Sequence, residues 1–405
     1  LLKSLLKTFS FTLNTAILNT DIQNFINNHL QSNISEIVLK GTTFDAVTTK
    51  ELIEQIEAKV KCEKKLPIWF KTPLIYYPNK LNIEQTSSET TADYKASLMH
   101  GKSMIDVTGG FGVDCYYFSK QFDLVTHCEI DKKLSEIVAH NYKQLLVSNI
   151  KTIHTDGLEY LEKTDEALDW IYIDPSRRHD SKGKVFLLND CLPNVPEHLE
   201  LLFQHSKNIM IKTSPLLDIS VGIGELQFVK TIHVVAVNNE VKELLWILED
   251  GFTGDIHIKT INLKHGSDDY FEFQLKDEKS LESQYSQPLT YLYEPNTAIL
   301  KAGAFNTVPE KLSIFKLHKH SHLYTSESLI PFPGRRFKIE NIIPYNKKEL
   351  KQLVITKANI TTRNFPETVE QIRKKLGIKD GGDLYLFFTT DTDGNKIVLV
   401  CNKIK

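Results

Sequence analysis

Short apolar runs separated by segments of helical period set the rhythm of the middle of this chain. Ser103 to Val107, Leu124 to Ile130, Ile150 to His154, Trp170 to Asp174, Ile209 to Lys212 and Ile232 to Val237 read as strands. Helical patterns lie between them: one begins at Val113, a second carries Leu134, Ile137, Val138, Tyr142 and Leu145, and others cover Gly157 to Glu162 and Pro196 to Phe203. Alternation on this scale predicts an α/β domain, a doubly wound, Rossmann-like parallel sheet covered by helices. Glu243 to Leu248 predicts a seventh strand.

Upstream, Asp21 to Leu30 places Ile22, Phe25, Ile26 and Leu30 on one helical face, and Thr48 to Val60 predicts a second helix. Lys65 to Pro78 holds three prolines and reads as extended linker or edge structure. Ser87 or Ser88 is a candidate N-cap for a helix through Tyr94 and Lys95. After Gly251, Ile256 to Leu263 and Tyr270 to Leu275 alternate as antiparallel strands around the His265-Gly266-Ser267 turn. The polar stretch Lys276 to Gln287 marks a boundary. His318, His320 and His322 alternate, as on one face of a strand, and are too few to make a metal site by themselves. The expected domains are an N-terminal helical region (1–80), the sheet domain (81–276), a small α+β segment (277–322) and a basic terminal domain (323–405).

Composition narrows the class. A 405-residue chain that is 41% hydrophobic and 25% charged belongs with multidomain globular proteins and not with disordered ones. No apolar run reaches transmembrane length, and Leu1 to Lys7 is too short and too charged for a signal peptide, so a cytoplasmic location is expected. Five scattered cysteines without a CxxC pair suit reduced thiols and disfavour a disulfide framework or a zinc site. The charge is uneven. Residues 331–405 hold 15 Lys/Arg against 8 Asp/Glu, while the whole chain is at −2, so a basic end on an acidic body points to a polyanionic partner.

The chemistry gathers where the strands end. Asp106 closes the first strand and leads into Thr108-Gly109-Gly110-Phe111-Gly112, a tight turn onto a helix start, the local design of a nucleotide pocket. Glu129 ends the second strand, 17 residues after Gly112, where an acid would accept both hydroxyls of an adenosine ribose. Asp156 follows the third strand and Asp174 closes the fourth. Cys115 stands where a dinucleotide fingerprint needs its last glycine, which disfavours NAD and leaves a ligand without pyrophosphate.

This constellation resembles the class I S-adenosylmethionine-dependent methyltransferases. Asp106 to Gly112 matches their first motif, with Thr108 in place of the usual first glycine. The resemblance implies S-adenosylmethionine as cofactor, held by Asp106, Thr108, Gly109, Gly110, Gly112, Glu129 (ribose) and Asp156 (adenine), and no metal. It places the family's fourth motif on Asp174-Pro175-Ser176-Arg177-Arg178. More closely, the chain is similar to a bacterial methyltransferase family with a THUMP-like C-terminal domain. Glu84-Gln85-Thr86-Ser87-Ser88-Glu89, Phe332-Pro333-Gly334-Arg335-Arg336-Phe337 and Lys357-Ala358-Asn359-Ile360 carry that likeness. It implies a ferredoxin-like 277–322 segment, a THUMP-like 323–405 domain, and ribosomal or transfer RNA as the partner.

In such a site Asp174 and the Pro175 carbonyl would accept the hydrogens of an exocyclic base amine and aim its lone pair at the methyl group, a positioning effect worth roughly 7–11 kcal/mol in well-oriented systems. Amino-methylating relatives carry an aromatic residue at the place held here by Arg177, which with Arg178 suits phosphate or base stacking instead. A competing set is Lys95, Asp174, Lys212 and Glu240, in the order that ribose 2′-O-methyltransferases use, with Lys212 acting at the target hydroxyl. Cys191 is the one thiol near the fourth motif for pyrimidine C5 chemistry. Arg335, Arg336 and Arg363 are the candidate RNA contacts of the terminal domain, with pairing to acids inside that domain as the alternative. The expected function is methylation of an RNA base, with the exocyclic amine favoured, and 2′-O-methylation, a non-catalytic RNA-binding role, or amine methylation of a protein or small molecule as rivals.

Overall fold

The computed structural model describes residues 13–177, 187–346, 349–350 and 355–404; Leu1 to Lys7 and Arg178 lie outside them. Two compact units divide the chain. One is Leu1–Thr213 with Ser220–Phe228 and Ile247–Phe252, and the other is Ser214–Ile219 with Val229–Trp246 and Thr253–Lys405. Among the described residues, no helix is long and apolar enough to cross a membrane.

In the first unit the apolar runs form β1 (Gly101–Asp106), β2 (Phe122–Glu129), β3 (Ile150–His154) and β4 (Trp170–Ile173). The pair β5 (Ser176–Arg177) and β6 (Cys191–Leu192) makes a small antiparallel hairpin, and β7 (Asn208–Thr213) follows. These strands lie in the order β7-β4-β1-β2-β3 and pair in parallel throughout. Met104 and Ile105 are both fully buried, because a parallel strand covered on both faces needs consecutive apolar residues. The chain runs outward from β1 to β3 and returns to β4 on the other side of β1. The crevice at this reversal, beyond the carboxyl ends of β1 and β4, is where open α/β sheets bind ligands.

Helices precede β1. Thr49–Lys65 starts at a capping box made by Thr48 and Glu51, and Glu89–Ser97 is capped by Ser88. The 65–78 stretch is not all extended as expected: Pro67–Lys71 is a helix. Proline is compatible with the first turn, where its missing N–H is no loss, and the Glu89 carboxylate accepts the Ile68 N–H at 2.6 Å.

In the second unit, β8 (Val229–Val237) pairs in parallel with β10 (His257–Leu263), which pairs antiparallel with β11 (Asp269–Gln274). The expected seventh strand is β9 (Glu240–Glu249), of which the residues up to Trp246 belong to this unit. A seven-stranded sheet follows, built from β12 (Tyr291–Pro295), β13 (Phe315–Lys316), β14 (Tyr324–Ser326), β15 (Gly334–Pro344), β16 (Asn359–Thr362), β17 (Leu384–Thr390) and β18 (Lys396–Ile404). Its order is β13-β14-β12-β15-β18-β17-β16. One apolar cluster gathers Leu292, Phe337, Phe387 and Leu399, and a second gathers Leu386, Phe388 and Val398 with Ile372 of helix Val369–Leu376. The three histidines are not on a strand. They sit in the turn before β14, where His322 has φ +52° and stacks on Phe305, so strand alternation does not apply to them.

Candidate active site

The crevice at the sheet reversal opens into a cavity of about 730 Å³, within the range of small-molecule sites. Its floor is the turn after β1. The Asp106 carboxylate accepts the Thr108 N–H at 2.9 Å and its hydroxyl at 3.1 Å, and it is fully buried, which raises it to about 7. The same Thr108 hydroxyl accepts the backbone N–H of Asp174 at 2.8 Å. One side chain thus ties the end of β1 to the end of β4, which glycine at this position would not do.

The glycines have steric reasons. A Cβ on Gly109 would run into the His127 ring, and one on Gly112 into Tyr142, whose hydroxyl donates to the Gly112 carbonyl at 2.8 Å. Gly110 and Gly112 lie at φ +56° and +76°. Burial holds His127 neutral, lowered to about 4. The turn is therefore seated on two rings that come from β2 and the following helix, Lys132–Gln144.

Glu129 ends β2 with its carboxylate fixed by two backbone donors, Gly110 N–H at 2.8 Å and Asp131 N–H at 2.7 Å. Burial raises it above the usual carboxylate range. Asp156 caps helix Gly157–Glu162 by accepting the Leu158 N–H at 2.8 Å, and it lines the same cavity. On the far side, Ile173 of β4 pairs with Ile211 of β7, so the next residue of each strand lies beside the other. Those residues are Asp174 and Lys212, and they form an ion pair.

The structure brings nine of the expected residues to the cavity wall: Asp106, Thr108, Gly109, Gly110, Glu129, Asp156, Asp174, Arg177 and Lys212. Gly112 and Pro175 shape the turns beside it and do not line it. Lys95 has a different place from that of a base facing substrate. Fully buried, it bonds the Ser87 hydroxyl at 3.1 Å and lies 3.3 Å from Asp114, whose other oxygen accepts from Ser87 and Tyr172 at 2.8 and 2.9 Å. Glu240 pairs with Lys242. Ser87, Asp114 and Tyr172 border the cavity; Ser87 stood out only as an N-cap candidate, and Asp114 and Tyr172 were not singled out, although Asp114 lies two residues after Gly112 of the first motif. Cys191 is buried. Among the described residues, no His/Cys/Asp/Glu group is arranged to hold a metal.

In the second unit, Arg335 and Arg363 converge on Glu294 of β12. Arg335 Nε donates at 2.6 Å and Arg363 at 2.8 Å to the two carboxylate oxygens. The acid is buried, and each arginine side chain stays 36% exposed. Arg336 is half-buried on β15.

An open parallel sheet with a glycine turn after β1 and a fixed acid at the end of β2 fits the class I S-adenosylmethionine-dependent methyltransferase fold. A family model described as THUMP domain-like matches residues 334–403, and one described as a ferredoxin-like domain matches 291–333. A crystal structure described as a "putative methyltransferase" from Porphyromonas gingivalis W83 is 32% identical, covering 96% of this chain and 99% of that one, with a TM-score of 0.86. The chain belongs to the same family, the class I S-adenosylmethionine-dependent methyltransferases with a THUMP-like C-terminal domain. Two more distant structures are an rRNA methylase from Streptococcus thermophilus (16% identity, 40% of this chain, 93% of that chain, TM-score 0.30) and M. capricolum TrmK with S-adenosyl-homocysteine (15%, 40%, 70%, 0.32). No curated protein matches the sequence.

The residues present fit the family's cofactor. Gly109 and Gly110 bring bare backbone to the cavity wall, and the Glu129 carboxylate there, held by two backbone N–H groups, would accept a ribose diol. Asp106, Thr108, Gly109, Gly110, Glu129 and Asp156 would hold S-adenosylmethionine, which supplies a methyl group activated on a sulfonium.

Proposed function

We propose that the protein methylates RNA, ribosomal or transfer, at a nucleobase in the cytoplasm, with residues 81–276 carrying the chemistry and residues 323–405 docking the RNA. The observation that carries this reading is Asp174. It sits at the reversal of the sheet, its backbone tied by Thr108 and its carboxylate paired with Lys212, on the wall of the cavity that fits the methyl donor. A group fixed in this way positions and deprotonates a nucleophile without reorganising, and such acid–base roles typically contribute about 10²–10⁴ in rate. Arg177 on the same wall suits a phosphate or the face of an unpaired base. The basic balance beyond residue 330 and the THUMP-like match support RNA as the polyanion.

Nucleoside mass spectrometry of RNA from cells lacking the gene tests this. One methylated nucleoside should be missing, restored by the wild-type protein and not by Asp174→Ala. Restoration by Asp174→Ala would assign a non-catalytic RNA-binding role, and an unchanged nucleoside profile would remove RNA as substrate.

A further inference from the structure

The Asp174–Lys212 pair restricts which kind of atom the site can methylate. Register across β4 and β7 places the ammonium against the carboxylate, with Lys212 only 14% and Asp174 33% exposed at the cavity wall. An exocyclic amine attacks as a neutral group and gains positive charge as it does so. A fixed ammonium beside it opposes that charge. A ring lactam N–H has the opposite demand, because it gives up a proton and leaves negative charge spread over the ring nitrogen and its neighbouring carbonyl oxygen. Asp174 then takes the proton and Lys212 faces the developing anion. Arg177, in the place where a stacking aromatic would serve an amine, adds a second cation to the same wall.

We propose, resting on the RNA reading of this site, that the target is the lactam N–H of a guanine or uracil base. The balance closes with the groups at hand. The proton passes to the Asp174 carboxylate, and the electron pair of the N–H bond forms the new nitrogen–carbon bond. The donor's C–S pair stays on sulfur as a neutral thioether. Asp174 then loses its proton to water.

The test uses the full-length enzyme, S-adenosylmethionine and total RNA from cells lacking the gene, with the product nucleosides separated by mass spectrometry. Methylation on the ring nitrogen of guanosine or uridine is expected. Methylation of an exocyclic amine, a ring carbon or the 2′-oxygen overturns the lactam assignment and leaves RNA methylation intact. Absence of any methylated nucleoside sinks the RNA reading and this one with it. Lys212→Met provides a second arm. If Lys212 stabilises an anion, turnover at neutral pH should fall by about 10²-fold or more, as on removing a charge-stabilising group, with partial recovery in Lys212→Arg. The dissociation constant for S-adenosylmethionine, read by calorimetry, should stay within about threefold, since under 1 kcal/mol separates the two affinities. Undiminished turnover in Lys212→Met, with the cofactor bound normally, would favour the amine and overturn the proposal.

Discussion

At the scale of single residues, the Thr108 hydroxyl and the His127 ring set the geometry of the glycine turn. Thr108 is the departure from the family's first motif, and its hydroxyl joins Asp106 to the N–H of Asp174. Thr108→Val keeps the shape and leaves that N–H without its acceptor, at a cost of about 1–3 kcal/mol. Turnover at saturating cofactor should therefore drop roughly tenfold to a hundredfold. Wild-type turnover in a folded Thr108→Val would deny the hydroxyl this role. His127 makes a separate prediction about acid. Burial depresses it from 6.5 to about 4, so in the fold it stays neutral where the unfolded chain takes up a proton. Its contribution is intact above pH 6.5 and is lost as pH falls toward 4, by about 3 kcal/mol in all. The melting temperature of the wild type should fall more steeply over that interval than that of His127→Gln. Parallel curves would contradict a neutral buried His127.

At the scale of elements, the strands were legible because each is an apolar run closed by a polar residue, and the acids at those ends were legible with them. The partnership of Asp174 with Lys212 was only half legible. Both strand ends can be read from sequence, but their adjacency depends on β7 lying beside β4, which is a property of sheet order. Lys95 illustrates the converse. A lysine in a helix carries no sign of being fully buried, and only the fold reveals its acid partner, Asp114. The 65–78 segment misled because proline was read as a breaker where it starts a helix. In β12 and β15, Glu294 and Arg335 are register partners, and Arg363 follows β16. Arg335→Ala or Arg363→Ala leaves a buried carboxylate with one cation. Each should cost about 1–3 kcal/mol, less than breaking a fully buried pair because a third of each arginine side chain faces water. Thermal unfolding should register a drop of several degrees. Unchanged melting together with weakened, less salt-dependent RNA binding would assign these arginines to the ligand instead.

At the scale of the whole molecule, the chain carries a methyltransferase sheet and a THUMP-like sheet of different design, and the excess of Lys and Arg lies beyond residue 330. Which molecule the protein methylates was not legible, since a basic surface marks a polyanion without specifying its sequence. We propose that one cavity has two separable ends: Glu129 for the donor and Asp174 for the target. Calorimetric titration of S-adenosylmethionine into wild type, Glu129→Ala and Asp174→Asn tests this directly. Losing a charge-assisted hydrogen bond costs roughly 1.5–3 kcal/mol, so Glu129→Ala should bind more than about tenfold more weakly, while Asp174→Asn binds as the wild type does. Unchanged affinity in a folded Glu129→Ala, or binding of NAD in place of S-adenosylmethionine by the wild type, would contradict the account.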